Sequence, residues 1–216
     1  MSFGKTVSLY EKIRSQILKI LRPAIYLKTY HLYEKNFGIE VECNLPEGFN
    51  FFVISTVEDY RDVIHSGYDF TGYPSDEDIE AALRTGACLI SIFKEKQLAH
   101  TTWLAFDRGQ AVYDSIFSAS SIWCAGDAFV GPCNTYEPFR GLGLYPSALI
   151  FSCDYLSHKG ARRCFINTKK TNLASIRGIR KAGFHFKKTV RVARIIGRKM
   201  IFFEGGGHEC LREDIH

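Results

Sequence analysis

A turn with two glycines, Arg-Gly-Leu-Gly at residues 140–143, leads directly into the helix-like run 147–151. Glycine lets the backbone approach a ligand closely, so the N–H groups of such a turn can surround a phosphate at the positive end of the helix. Arg140 would add a fixed fork of donors at the rim. The same residues also suit a plain β–α connection without a ligand, and the turn alone leaves both interpretations open.

A second motif follows the strand-like residues 163–168. It reads Asn-x-x-Ser-Ile from Asn172 and ends in Lys-x-Gly-Phe at 181–184. Together the two motifs resemble the acyl-CoA loop and the following segment of the GNAT superfamily of N-acyltransferases. The resemblance covers residues 127–184 and is thin elsewhere.

The resemblance implies an enzyme that transfers an acyl group, acetyl first of all, from acyl-CoA to a primary amine. The amine would be an amino sugar or another small metabolite, and it would attack directly, without a covalent enzyme intermediate. Acetyl-CoA or coenzyme A is the implied co-substrate. The residues that would contact it are Asn134, Thr135, Tyr136, Arg140, Gly141, Leu142, Gly143, Leu144, Tyr145, Asn172 and Ser175. We expect no metal, because none of the seven cysteines forms a Cys-x-x-Cys pair.

Hydrophobic patterns and turn signals predict the order of the elements. Thr56 and Ser75 are predicted to begin two helices, and Gly86 is a natural stop for the second one. Further helices are predicted at 146–158 and 173–182, and strands at 49–55, 88–93, 98–106, 127–135, 163–168, 185–195 and 199–203. This order indicates an α/β fold with a mixed, mostly antiparallel central sheet flanked by helices. The resemblance adds a splayed pair of parallel strands.

The strand before the glycine turn contains Gly131-Pro132. Proline has no N–H group, so a central strand cannot pair through it. The dipeptide therefore predicts a bulge or a place where two strands separate, although an edge strand would tolerate the proline equally well. In the resembling fold the pantetheine arm of CoA enters such a gap, where a backbone N–H near 134–136 would polarise the thioester carbonyl.

Acyl transfer to an amine requires a base, because an alkylammonium with a pKa near ~10.4 has no lone pair at neutral pH. Asp127 is the first candidate, since related enzymes often carry a carboxylate on this strand. It would otherwise merely begin the strand after Gly126. Glu137 is the second candidate and His100 the third, although a single histidine between apolar residues is more often structural.

The acid that protonates the leaving thiolate is harder to assign. The resemblance places the usual tyrosine at Ile179, so Tyr145, Tyr136 or water would have to donate the proton. Cys133 could be acylated, but direct transfer needs no such intermediate.

Charge is concentrated at the start of the chain. Residues 1–36 hold seven Lys and Arg against two Glu, a net charge of +5 that equals the net charge of the whole chain. Within 7–22, apolar residues recur at helical spacing. We therefore predict a basic amphipathic helical appendage at 1–36 and an acyl-CoA N-acyltransferase domain at 37–216. The appendage either packs on the domain or lies on an anionic membrane surface or an acidic partner.

Composition narrows the remaining possibilities. The sequence shows no span of about 20 apolar residues, no signal peptide and no nucleic-acid-binding module, so we expect a cytoplasmic protein or one peripheral to the inner face of a membrane. We expect a small-molecule amine as partner and no nucleic acid. Two alternatives remain: a module that binds acyl-CoA without turnover, and a membrane-surface or complex-forming subunit that works through the basic helix.

Overall fold

The computed structural model describes residues 25–38, 42–70, 75–107, 110, 124–195 and 198–204. Eight strands and four helices lie in this part of the chain. The strands are β1 (Ile25–Asn36), β2 (Phe49–Ile54), β3 (Cys88–Lys94), β4 (Gln97–Ala105), β5 (Asp127–Thr135), β6 (Arg163–Lys169), β7 (His185–Ile195) and β8 (Arg198–Glu204). The helices are α1 (Val57–His65), α2 (Asp76–Arg84), α3 (Leu144–His158) and α4 (Leu173–Lys181).

All eight strands form one sheet in the order β2-β3-β4-β5-β6-β1-β7-β8. Only β5 and β6 run parallel, and the other neighbours are antiparallel. The predicted mixed α/β sheet with one splayed parallel pair is therefore confirmed. The pair β5–β6 also joins the two halves of the sheet, so its geometry decides how the halves meet.

Helices cover the sheet on both faces. Strand alternation puts Ile90 and Leu104 on the face where α3 and α4 pack, and Leu89 and Trp103 on the face where α1 and α2 pack. Each side therefore has its own buried cluster. None of the described helices is long and apolar enough to span a membrane.

The predicted helix starts of α1 and α2 are present. The Thr56 hydroxyl accepts from the Asp59 backbone N–H, and the Asp59 carboxylate accepts from the Thr56 backbone N–H, which together make a capping box. Ser75 caps α2 through its side-chain oxygen, which accepts from the backbone N–H of Asp78. These local signals placed both helices correctly.

The sequence prediction for residues 25–36 is wrong. The charge and hydrophobic pattern predicts a helical appendage here, but the residues form β1, between β6 and β7. Both faces of its second half are buried, because Leu32 and Tyr33 belong to two different buried clusters, so it lacks the apolar–polar alternation that marks a half-buried strand. Its charges are paired: Lys35 donates to the Ala182 carbonyl, and Glu34 forms an ion pair with Lys187. The sheet therefore begins before the predicted boundary at residue 36, and the amphipathic segment 7–22 lies outside the described residues.

Candidate functional site

The parallel strands β5 and β6 separate after three residue pairs. Pairing runs from Asp127–Arg163 to Phe129–Phe165 and then stops. On the other side of β5, Leu104 pairs with Val130 and Thr102 with Cys133, so β5 carries one extra residue at Gly131-Pro132. The prediction of a bulge and strand separation at this dipeptide is confirmed.

A cleft of about 730 Å³ occupies the gap between the separated strands. Its walls come from β5, the glycine turn, the first turn of α3, β6 and the start of α4. Two arginines, Arg140 and Arg177, line it, and no described aspartate or glutamate does. This charge balance favours an anionic ligand. Within the described residues, no three His, Cys, Asp or Glu side chains are grouped so that they could hold a metal ion.

The N-terminus of α3 opens into the cleft without a capping side chain. Its N-cap is Gly143, whose φ of 80° lies in the left-handed region that favours glycine, and Gly141 has a φ of 82°. The other three described helices are capped by the side chains of Thr56, Ser75 and Asn172. Apart from the adjoining residues, no atom of the described part of the chain lies within 4 Å of where a Cβ of Gly141 or Gly143 would be. Gly143, Leu144 and Tyr145 at the start of α3 line the cleft, and the first N–H groups of a helix have no acceptor within the helix, as an anion site requires.

Tyr145 connects this helix end to α4. Its hydroxyl lies 3.0 Å from Oγ of Ser175, and its ring packs on the backbone of Gly178 so closely that a Cβ at Gly178 would lie 2.5 Å from Cδ1. Burial raises the pKa of Tyr145 well above its usual value, so the hydroxyl stays protonated. Tyr145 is therefore a neutral, fixed part of the cleft wall.

The end of β5 presents backbone groups to the gap. The Tyr136 N–H donates to the carbonyl of Ala99 in β4. The Nε of Arg140 donates to the Thr135 carbonyl at 2.9 Å. Because N–H directions alternate along an antiparallel strand, the N–H groups of Thr135 and Cys133 point toward the gap. They are suitable donors for a ligand that lies between β5 and β6.

Comparison with solved structures identifies this architecture. The chain aligns with a GCN5-related N-acetyltransferase from Sphaerobacter thermophilus at a TM-score of 0.55 and 14% identity, over 90% of this chain and 59% of that one. A GNAT-family acetyltransferase from Colwellia psychrerythraea aligns at 0.51 and 14%, over 78% and 56%. The chain has the GNAT fold. A Drosophila protein aligns equally well, at 0.55 and 14% identity over 85% and 57%. The chain thus spans little more than half the length of these proteins.

No protein-family model matches the sequence, and no curated protein matches it. At these identities, the solved structures establish the GNAT fold alone.

Most of the predicted CoA contacts line the cleft of this GNAT fold. The structure brings together Asn134, Thr135, Arg140, Gly141, Gly143, Leu144, Tyr145, Asn172 and Ser175. Two predicted contacts do not line it. Leu142 points to solvent with 47% exposure, and the Tyr136 N–H is already bonded to β4.

Asp127 is not in the cleft. It lies at the paired end of β5, is 3% exposed, and accepts two hydrogen bonds from Arg163, at 2.7 and 2.9 Å, and one from the Cys124 N–H. The carboxylate cannot reach the gap from this end of the strand. Asp127 is therefore not the base, contrary to the sequence prediction. Its carboxylate instead links β5 to β6 through Arg163.

The other two candidates for the base, Glu137 and His100, do not line the cleft either. The Glu137 side chain is 79% exposed and forms an ion pair with Arg140. His100 is fully buried between the hydroxyls of Thr135 and Thr102, at 2.7 and 2.8 Å. Burial lowers the pKa of His100 to about 3, so it is neutral at physiological pH and a weak base.

Cys133 lines the cleft, but burial raises the pKa of its thiol to about 12. Nucleophilic attack requires the thiolate, so this residue is poorly suited to carry an acyl group. Sequence reasoning also missed several lining residues, chiefly Phe129, Asn167, Arg177 and Gly178. Gly178 had a usable signal, because a glycine inside a helix often marks a close approach of two backbones or side chains.

Proposed function

We propose that this chain binds acyl-CoA in the cleft and transfers the acyl group, acetyl first of all, to a primary amine. The observation that carries the proposal is an uncapped helix N-terminus opening into a gap between two parallel strands. The helix end suits a pyrophosphate, and the gap suits an extended arm with amide groups. A glycine turn that merely connected β5 to α3 would require neither the gap nor the missing cap.

In this proposal the pyrophosphate lies on the N–H groups of residues 140–145, with Arg140 and Arg177 at the rim. The arm then runs along the free edge of β5, where the N–H groups of Thr135 and Cys133 face the gap. One of them would hold the oxyanion of the tetrahedral intermediate, an interaction worth roughly 2.7–4 kcal/mol for a single donor. Because Cys133 is held as a thiol, the amine attacks the thioester directly.

Tyr145 is the described side chain best placed to assist the leaving group. Because its pKa is raised, the hydroxyl stays protonated and can donate a hydrogen bond to the CoA thiolate, which then takes its proton from water. The acceptor must enter as the neutral amine. An amino sugar or another small amine remains the proposed acceptor.

Calorimetry with CoA and acetyl-CoA tests the proposed binding. Arg140 is 57% exposed and paired with Glu137, and Arg84 of α2 is 59% exposed and paired with Glu80, so Arg84 is a matched control outside the cleft. Arg140→Gln should weaken binding by about 10- to 100-fold, since hydrogen bonds to charged groups contribute about 1.5–3 kcal/mol. Arg84→Gln should bind like the unmodified protein.

Two results would count against the proposal. If the unmodified protein binds neither CoA nor acetyl-CoA, the cleft is not a CoA site. If it binds them but consumes no thioester with a broad panel of amines, the alternative of an acyl-CoA-binding module is favoured. That alternative would agree with the position of the three base candidates, none of which lines the cleft.

A further inference from the structure

An aromatic side chain closes the deep end of the cleft. Phe129 lines the cleft and belongs, with Phe165, to the last residue pair before β5 and β6 separate. Its ring reaches under the bulge, because a Cβ at Gly131 would lie 3.2 Å from Cζ of Phe129. Ile166, the next residue of β6, lines the opposite wall. The floor of the gap is therefore apolar and bulky.

The two ends of the cleft differ in chemistry. One end has the uncapped helix N-terminus, Arg140 and Arg177, which suit phosphate; the other ends at Phe129. A ligand with its pyrophosphate at the polar end extends its arm along β5 toward the floor. The terminal group of the arm, which carries the acyl chain, is then the part nearest Phe129.

We propose that Phe129 determines which acyl chains the cleft accepts, by occupying the space into which carbons beyond an acetyl group would extend. This inference rests on the proposed function, and it names Phe129 as a specificity-determining residue. Removing the ring would leave an apolar recess between β5 and β6. A longer acyl chain could fill that recess. Each additional methylene buried there should raise the affinity for the longer acyl-CoA by about fourfold.

The test compares Phe129→Ala with Phe165→Ala. Phe165 is a matched control because it is the cross-strand partner, is 2% exposed against 1% for Phe129, and shares the same buried cluster, yet does not line the cleft. Affinities for acetyl-CoA and hexanoyl-CoA are measured by calorimetry, and kcat/KM where an amine acceptor is found. Phe129→Ala should raise the ratio of the affinity for hexanoyl-CoA to the affinity for acetyl-CoA by about 10-fold or more. Phe165→Ala should leave this ratio unchanged.

Phe129→Leu guards against a variant that fails to fold, since it keeps an apolar side chain and should shift the ratio in the same direction by a smaller factor. An unchanged ratio in both Phe129 variants would overturn the inference. An equal shift of the affinity ratio in Phe165→Ala would overturn it too, because it would indicate a general loosening of the contact between β5 and β6. Failure of acetyl-CoA to bind the unmodified protein would instead refute the proposed function, and this inference with it.

Discussion

Asp127 shows how a residue of the right chemical type can serve the fold. Its carboxylate joins β5 to β6 through Arg163 at the point where only three residue pairs hold the two halves of the sheet together. The ion pair is nearly buried on one side, with Asp127 at 2% and Arg163 at 28% side-chain exposure. In this position the Asp127 carboxylate stabilises the contact between β5 and β6.

We therefore predict that Asp127→Asn lowers the free energy of unfolding by roughly 3 kcal/mol, the lower end of the cost of breaking a buried pair, because Arg163 keeps some contact with water. Turnover per folded molecule should stay within about threefold. Chemical denaturation and activity are measured on the same preparation. A stable Asn variant that turns over ~100-fold more slowly would restore Asp127 as a base.

His100 gives a second prediction at this scale, through pH. Burial lowers its pKa from 6.5 to about 3, so below pH 6.5 the unfolded chain binds a proton that the folded chain does not. Acidification from pH 6.5 toward 3 must then favour unfolding, by up to about 1.4 kcal/mol per pH unit from this group. Between pH 6.5 and 4, stability should fall more steeply in the unmodified protein than in His100→Gln. Equal slopes in denaturant titrations would mean that His100 is not held neutral.

At the scale of elements, the contact between α3 and α4 depends on a missing side chain. Gly178 lies inside α4, where alanine would ordinarily stabilise a helix by about 1 kcal/mol. The Tyr145 ring occupies the space that its Cβ would need, and overpacking costs about 1–3 kcal/mol. The steric effect is the larger one, so it should decide the outcome.

We predict that Gly178→Ala destabilises the protein and weakens CoA binding, because the Tyr145 ring must shift within the cleft wall. In a Tyr145→Ala background the ring is gone, and Gly178→Ala should then stabilise by about 1 kcal/mol. Denaturation of the four proteins completes this double-mutant cycle. The same effect of Gly178→Ala in both backgrounds would show that the two residues are not coupled.

Elements with strong local signals were predictable from the sequence. The strands β2 to β8 and all four described helices were placed to within about two residues, because caps, glycine stops and alternation are encoded locally. The largest shift was at α3, which begins at Leu144, two residues before the predicted start, because Gly143 in the left-handed region is its N-cap.

For the molecule as a whole, what escaped prediction depended on distant partners. β1 is recognisable only once β6 and β7 are known to flank it, and Asp127 is recognisable as structural only once Arg163 is known to lie beside it. The glycine turn before α3 was predictable because its signal lies in consecutive residues. The catalytic candidates were not, because the splay of β5 from β6 decides which side chains reach the cleft.

The position of β1 in the middle of the sheet has a consequence for how the protein is made on the ribosome. β1 is synthesised long before the strands that flank it: Lys187 of β7, the ion-pair partner of Glu34, comes 153 positions later. At ~5–20 residues per second, translation of that stretch takes roughly 8 to 30 s. Until β6 and then β7 have been synthesised, β1 has unpaired edges in the nascent chain, and unpaired strand edges are prone to aggregate or to recruit a chaperone. The sheet therefore cannot close around β1 until β7 has been synthesised.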